Sequence, residues 1–278
     1  MHYIENMRGI EILSSTDLDL QQTLDCGQCF RWQVLPDGEY RGIAFGRKLT
    51  ITEKNGTVLF HGVTAAEFES IWIPYFDLNF DYAVVRELFA QMHPALKEAA
   101  TFAPGIRLLQ QDPWEALCSF ILSQNNNIPR IKGLVDRLCQ LLGEERDGFH
   151  DFPTPERLAE QTIDTLAPVR SGFRAKYLID AAQKVCDGTV DLNALYHLPM
   201  EEARQSLTQI YGVGDKVAEC ALLYGFHRLE AFPMDVWMKR AMAVLLPGYT
   251  PEQLGPYAGI AQQYLFHYSR CNAELFTA

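Results

Sequence analysis

Hydrophobic and polar residues change rhythm once along the chain, near residue 100. Over residues 9–62 apolar positions alternate with polar ones between turn residues: Ile10-Glu-Ile-Leu13, Phe30-Arg-Trp-Gln-Val34, a Pro36-Asp-Gly38 turn, Tyr40-Arg-Gly-Ile-Ala-Phe45, Leu49-Thr-Ile-Thr52, an Asn55-Gly56 hairpin and Val58-Leu-Phe-His61. This pattern predicts a small antiparallel sheet. Thr64 with Glu67 reads as a capping box for a helix through Trp72, and a second helix is expected from Asp81 to Met92. After Phe102-Ala-Pro-Gly105 the spacing turns helical. Pro113 after Asp112 opens a helix to Gln124, Asn127-Ile-Pro129 one to Leu142, Thr154-Pro155 a third, and Gly172 a fourth that Asp187-Gly188 ends after Cys186. A last amphipathic helix is expected from Tyr257 to Tyr268. The architecture is therefore α+β. A β-rich N-terminal subdomain over residues 1–100 is expected to pack against a mostly α-helical domain over 101–278, with a cleft beside Lys216.

Between the fourth and last helices lies the stretch with the most chemistry. Leu207, Ile210 and Tyr211 stand at helical spacing before Gly212-Val213-Gly214, and Val217, Cys220, Ala221 and Tyr224 stand so after it. Two helices joined by so short a turn can share one apolar seam. The two glycines supply backbone angles and close approach that a β-carbon forbids, and the amides of residues 212 to 216 are left to face an anion such as a phosphate. Lys216 stands at the start of the second helix. A helix N-terminus disfavours a cation, so a lysine there is a candidate nucleophile. Asp235, just after Pro233 and just before Val236, Met238, Met242 and Leu245, is expected to cap a third helix. A phosphate-gripping turn, an amine and a fixed carboxylate suit attack on a nucleotide's sugar carbon. The alternative is a hairpin that only grips DNA backbone, with Lys216 a solvated charge.

Composition changes this picture little. The chain has 278 residues, 48% of them hydrophobic and 21% charged, enough for a full core and two subdomains. It contains no apolar run of membrane-span length, and Met1 to Arg8 lack a basic segment leading into an apolar one. A cytoplasmic or nucleoid location is expected for a prokaryotic source, with a nuclear setting open. Net charge is the main objection to nucleic acid, because −11 is the reverse of the usual basic footprint. Its distribution softens the objection, since residues 130–240 hold 14 of the 24 cations. Local basic contacts with salt-dependent affinity are therefore expected. The seven cysteines are scattered and mostly in apolar surroundings, as in a reducing compartment. Cys26-Gly-Gln-Cys29 has no second pair to complete a zinc site, so no metal is expected.

Two further constellations narrow the substrate. Ser123-Gln-Asn125-Asn-Asn127-Ile-Pro-Arg130 places three amides and a cation between two helices, and Gly172-Phe173-Arg174-Ala-Lys176 adds an apolar residue and cations at a helix start. One asparagine must cap a helix, and capping plus a surface arginine would account for the first set alone. Together they suit an enzyme that flips a base from duplex DNA, fills the hole with a wedge and holds the orphaned partner.

Lys216, Pro233 and Asp235 around Gly212-Val-Gly214 resemble the helix-hairpin-helix, Gly-Pro-Asp superfamily of DNA glycosylases. Ser119-Phe-Ile-Leu-Ser-Gln-Asn-Asn-Asn127, Gly172-Phe-Arg-Ala-Lys-Tyr177, Gly212-Val-Gly-Asp-Lys-Val-Ala-Glu-Cys220, Gly27-Gln-Cys-Phe-Arg-Trp32 and Gly255-Pro-Tyr-Ala-Gly-Ile-Ala-Gln262-Gln-Tyr-Leu-Phe266 sharpen the resemblance to the 8-oxoguanine DNA glycosylase family. A cluster of four downstream cysteines, as in the iron–sulfur branches, is missing, with only Cys271 there.

The resemblance implies a bifunctional glycosylase and abasic-site lyase acting on duplex DNA that contains oxidised guanine opposite cytosine. A glycosylase for another damaged base and an inert DNA-backbone binder remain the alternatives. By resemblance, Lys216 attacks C1′ and forms a Schiff base, and Asp235 supports the cationic transition state. Gly27 offers its carbonyl to the N7–H that guanine lacks. Gln262 reads the Watson–Crick edge, Cys220 and Phe266 stack on the base, and Gly212, Val213 and Gly214 hold phosphate. Asn125, Arg130 and Arg174 hold the estranged cytosine, and Phe173 is the wedge. Phe173 stands where better-known eukaryotic members carry tyrosine, and Trp237 where they carry histidine. No cofactor is expected, a monovalent cation between hairpin carbonyls and phosphate is left open, and the protein is expected to be a monomer without membrane contact.

Overall fold

The computed structural model describes residues 2–12 and 17–276. It contains a six-stranded sheet in the order β1-β2-β6-β5-β4-β3, built from β1 (Tyr3–Asn6), β2 (Gly9–Ile12), β3 (Trp32–Val34), β4 (Tyr40–Ala44), β5 (Arg47–Lys54) and β6 (Thr57–His61). The neighbouring pairs β1–β2, β2–β6, β5–β6 and β3–β4 run antiparallel. Alternation between turn residues was the signal for five of these strands, β2 to β6, and the burial of β4 follows it, Tyr40, Gly42 and Ala44 pointing inward. Leu13, expected to end the first predicted strand, lies outside the described residues. The β5–β6 turn has Asn55 at φ 54° and Gly56 at φ 74°, the left-handed pair an Asn-Gly hairpin requires. Strand β1 carries almost no buried residue, which is why alternation did not reveal it.

Nine helices of eight or more residues follow among the described residues: α1 (Tyr82–Met92), α2 (Pro94–Phe102), α3 (Pro113–Ser123), α4 (Ile128–Leu142), α5 (Arg174–Cys186), α6 (Met200–Thr208), α7 (Asp215–Gly225), α8 (Val236–Leu245) and α9 (Ala258–Cys271). Their starts are chemically marked. Asp81, Asp112, Asn127 and Asp235 each accept a hydrogen bond from a first-turn amide of α1, α3, α4 and α8. Thr154 does the same for the short helix Pro155–Ala159. At Thr64 only half of the expected box forms: its hydroxyl accepts from the Glu67 amide at 3.3 Å, and the chain passes from Ala65–Glu67 into a π-helical turn over Phe68–Trp72.

By contact the chain divides into two compact units that do not follow a single cut in sequence. The first comprises Met1–Gly42, Leu49–Gln110 and Leu229–Ala278, and the second Ile43–Lys48 and Gln111–Arg228. The first thus gathers α1, α2, α8 and α9 with most of the sheet. Its core is aromatic. Trp32, Phe60, Phe68, Trp72 and Phe76 are fully buried, and the Trp32 indole donates to the Tyr75 hydroxyl at 2.7 Å. Trp32 can lie flat over the sheet because its cross-strand partner is Gly42, where a Cβ would sit 2.1 Å from the indole. The second unit is centred on α3 and α7. Both are buried nearly all round, Phe120 stacks on Tyr224 with ring centroids 5.1 Å apart, and a Cβ at Gly225 would stand 3.0 Å from Ala116 Cβ. Each buried Leu, Ile or Phe of this pair contributes about 1.5–3 kcal/mol, so α7 is held firmly.

Candidate active site

In the second unit, α6 ends at Thr208 and the chain reaches α7 through Gln209–Gly214. Leu207 and Ile210 are buried as their spacing predicts, and so are Val217, Cys220, Ala221 and Tyr224. Tyr211 is not in that seam. The chain has already left the helix there, and Tyr211 is 56% exposed. Three residues on one face of α5 fix this turn. Tyr177 lies under Gly212 and meets the Tyr211 ring edge-on at 5.2 Å, Asp180 accepts the Tyr211 N–H at 2.6 Å, and Lys184 donates to the Gln209 carbonyl at 2.5 Å. Their positions, three and four residues apart, repeat along a helix face, but nothing in the local sequence names their partners.

The two glycines differ. Gly212 has φ 80°, and a Cβ on it would stand 2.4 Å from the Tyr177 ring, so glycine is required twice over. Gly214, the exposed N-cap of α7, has φ −103° and nothing within 4 Å of its would-be Cβ. Its lack of a side chain serves no contact inside the protein; it leaves the backbone open to an approaching group. The Val213 N–H is already taken by the Ile210 carbonyl at 3.0 Å, while the amides of Gly214, Asp215 and Lys216 open the helix, where no intrahelical acceptor exists. Lys216 is half-buried, with Nζ 5.5 Å from the centroid of the Phe120 ring. The ring confines the amine near the start of α7. Cys220 follows one turn later and is buried.

The same unit carries the amide and wedge residues. Asn125 is exposed, with φ 52°, and Arg130 is exposed in the first turn of α4. Asn127 is the asparagine that caps, accepting from the Arg130 amide at 3.0 Å. Phe173 is 46% exposed at the start of α5, its ring 4.3 Å from the Arg174 guanidinium carbon. Arg174 is itself only 4% exposed. Its Nε donates to the Gln124 carbonyl at 2.7 Å, a terminal nitrogen donates to the same oxygen, and another reaches the Ser171 carbonyl at 3.1 Å. Burial and then the nearby Arg130 hold its pKa below the ordinary guanidinium value. Arg174 thus ties the Asn125 loop to the Phe173 loop, a partnership the sequence did not disclose.

The first unit holds the remaining candidates. Asp235 caps α8 as its position predicted, Oδ1 accepting the Met238 amide at 2.6 Å. Trp237 donates its indole N–H to the Ser269 hydroxyl at 2.8 Å and so ties α8 to α9. On α9, Gln262 and Phe266 lie one turn apart; Gln262 is buried and donates to the Pro233 carbonyl at 3.3 Å, and the Phe266 ring lies 5.6 Å from the Arg270 guanidinium. Gly27 has φ 94° in a loop between two buried thiols, Cys26 and Cys29, which donate to the Thr23 and Leu24 carbonyls. Burial pushes the Cys26 thiol up to about 12. Sequence reasoning passed over the neighbouring Gln28, an amide with no solvent exposure. A glutamine among Cys, Phe and Trp was the available signal.

Residues 11–117 match the family model described as 8-oxoguanine DNA glycosylase, N-terminal domain, and residues 118–250 that of the HhH-GPD superfamily base excision DNA repair protein. The chain is 32% identical to the N-glycosylase/DNA lyase OGG1 of Arabidopsis thaliana over 91% of its own length and 78% of the relative's. Its fold matches a structure of MBOgg1 in complex with a low affinity DNA ligand at TM-score 0.91 and 40% identity, covering 98% of this chain and 100% of that one. It matches the 8-oxoguanine glycosylase/lyase of Clostridium acetobutylicum, in complex with double-stranded DNA containing cytosine opposite 8-oxoguanine, at TM-score 0.92 and 35% identity over 98% of this chain and 99% of that chain.

Proposed function

This chain belongs to the 8-oxoguanine DNA glycosylase family, and we propose from that premise how its residues divide the work. It is a bifunctional DNA glycosylase and lyase of base excision repair, which excises 8-oxoguanine from duplex DNA opposite cytosine and then cleaves the strand.

Lys216 is the nucleophile. Its Nζ bonds to C1′ as the glycosidic bond breaks and the base leaves with the electron pair; the sugar ring opens to a Schiff base, loss of a C2′ proton expels the 3′ phosphate, and hydrolysis of the imine frees the lysine. Asp235, fixed by the Met238 amide, stabilises the positive charge that develops on the sugar and assists proton transfer. The position of Lys216 in the first turn of a helix whose exposed N-cap is a glycine supports this reading most directly, because the same turn that would grip phosphate carries the amine. Gly27 offers its carbonyl to N7–H of the flipped base; against guanine that acceptor would face another acceptor. Gln262 binds the Watson–Crick edge after exchanging its bond to Pro233, and Cys220 and Phe266 stack on the two faces. Phe173 fills the vacated stack, with Asn125 and Arg130 beside it for the estranged cytosine. Arg174 serves that base by shaping the loop through Gln124 as well as by charge.

A monovalent cation would suit the hairpin by donor type. The Gln209, Ile210 and Gly214 carbonyls already accept from Lys184, Val213 and the Val217 and Ala218 amides. Each backbone carbonyl has two lone pairs, so the oxygens of this turn, those of Tyr211, Gly212 and Val213 among them, would hold the ion, and it would screen a bound phosphate. Replacing potassium by tetramethylammonium at constant ionic strength should then weaken DNA binding; equal affinity in both would argue against the cation.

Borohydride trapping tests the chemistry. Duplexes containing 8-oxoguanine or an abasic site should give a covalent adduct, guanine none, and Lys216→Gln none on any. Lack of an adduct on both competent duplexes would refute the enzyme reading, and an adduct that survives Lys216→Gln would move the nucleophile elsewhere.

A further inference from the structure

We infer that Gln28 is a positioning residue for lesion recognition, holding the Gly27 carbonyl in its base-reading direction, with Gln263 of α9 as its counterpart. The inference rests on the proposal that this carbonyl reads N7–H. A glycine at φ 94° has wide conformational freedom and no side chain to pin it, so the direction of its carbonyl must be set by its neighbours.

Both neighbours are pinned. Gln28 follows Gly27 and is completely buried. Its Oε1 accepts the Leu109 N–H at 2.9 Å, and its Nε2 donates to the Thr23 carbonyl at 2.8 Å and the Arg107 carbonyl at 2.7 Å. Cys26 precedes Gly27, and its carbonyl accepts from Gln263 Nε2 at 3.4 Å. Thr23 closes the set, its hydroxyl donating to the Gly105 carbonyl at 2.9 Å and accepting the Arg107 N–H at 3.2 Å.

The loop thus lies along residues 105–109 joined mainly through side chains, where two strands would use a backbone ladder. A buried methionine could fill the volume of Gln28, but an aliphatic chain fixes no direction. An amide bonded at both ends does, because hydrogen bonds weaken steeply once bent. Gln263 extends the same control to α9, the helix that carries Gln262 and Phe266.

Cleavage of a preformed abasic site needs no base reading, so it separates this role from general stability. Single-turnover rates on duplexes holding 8-oxoguanine or an abasic site, both opposite cytosine, should be compared for the wild type, Gln28→Met, Gln263→Met and Gly27→Ala, with melting temperatures. The ratio of 8-oxoguanine excision to abasic-site cleavage should fall about tenfold in Gln28→Met and about threefold in Gln263→Met. Gln28→Met removes the bonds to the Leu109 amide and to the Thr23 and Arg107 carbonyls, of which the Thr23 carbonyl keeps the Cys26 thiol; if it does not fold, Gln263→Met, which removes the bond to the Cys26 carbonyl, decides. Equal losses on both duplexes, or an unchanged ratio in a folded variant, would overturn the positioning role. A ratio moved by Gly27→Ala alone would overturn the glutamines' part and spare the carbonyl reading. A ratio unmoved even by Gly27→Ala would overturn that reading itself.

Discussion

Alanine at Gly212 and alanine at Gly214 should have opposite consequences, although the two glycines flank the same valine. At Gly212 a side chain must adopt φ 80° and place its Cβ 2.4 Å from the Tyr177 ring. The left-handed backbone costs about 1–2 kcal/mol and the overpacking about 1–3, together about 2–5 kcal/mol. At about 2 °C per kcal/mol for a chain of this size, the melting temperature should drop by about 4–10 °C. At Gly214 the backbone is already one any residue adopts, and the new methyl meets nothing within 4 Å. A slightly poorer N-cap is offset by a less flexible unfolded chain, so stability should stay within about 0.5 kcal/mol. The methyl would instead stand where a phosphate approaches the α7 amides, and loss of one charge-assisted hydrogen bond of about 1.5–3 kcal/mol weakens binding by about ten- to a hundredfold. Thermal unfolding followed by circular dichroism and fluorescence anisotropy with a duplex carrying an abasic analogue read the two effects separately. A destabilised Gly214→Ala, or one that binds DNA as tightly as wild type, would refute the assignment of that opening to the nucleic acid.

Three more outcomes follow from side-chain geometry. Asp235→Asn keeps an oxygen for the Met238 amide and should melt within about 0.5 kcal/mol of wild type while losing most excision, whereas Asp235→Ala should also lose about 1 kcal/mol of stability; an active Asp235→Asn would remove the carboxylate from the chemistry. Among the described thiols, Cys186 and Cys271 are exposed and the other five buried, so an alkylating reagent at pH 8 should label two sites rapidly and spare Cys26, whose thiol burial pushes up to about 12; mass spectrometry finding Cys26 among the first labelled would contradict this. Burial first, and then Arg270, hold the His267 pKa below its ordinary value, so its neutral form is favoured in the folded state. The stability this gives is complete above the ordinary imidazole range and is lost as pH falls through it; His267→Gln should flatten that part of the melting curve between about pH 7 and 5, and an unchanged slope would assign the loss to other groups.

What could be read from the sequence, and what could not, divides by the range of the interaction. Helix starts were legible because a cap bonds an amide two or three residues away: Asp112, Asn127, Thr154 and Asp235 all act as their positions foretold. So was the Asn55-Gly56 turn. Helix α2 escaped notice because its cap is the Nδ1 of His93 rather than a hydroxyl, amide or carboxylate. Tyr211 was misplaced because spacing alone carried the helical period beyond the point where α6 ends. The candidate nucleophile and carboxylate both stand at helix starts, which is why chemistry was the easier half to find. Recognition depends on directions that distant partners impose. The amide of Gln28 meets Leu109, 81 residues on, and Asp180 meets the Tyr211 amide 31 residues on. No local pattern encodes such pairs, yet each leaves a trace: a polar residue set where its neighbours are apolar must find a partner or be destabilising. Gln28 between Cys26 and Trp32 is such a residue, and its bonds enclose the one glycine whose carbonyl is proposed to distinguish a damaged base from an intact one.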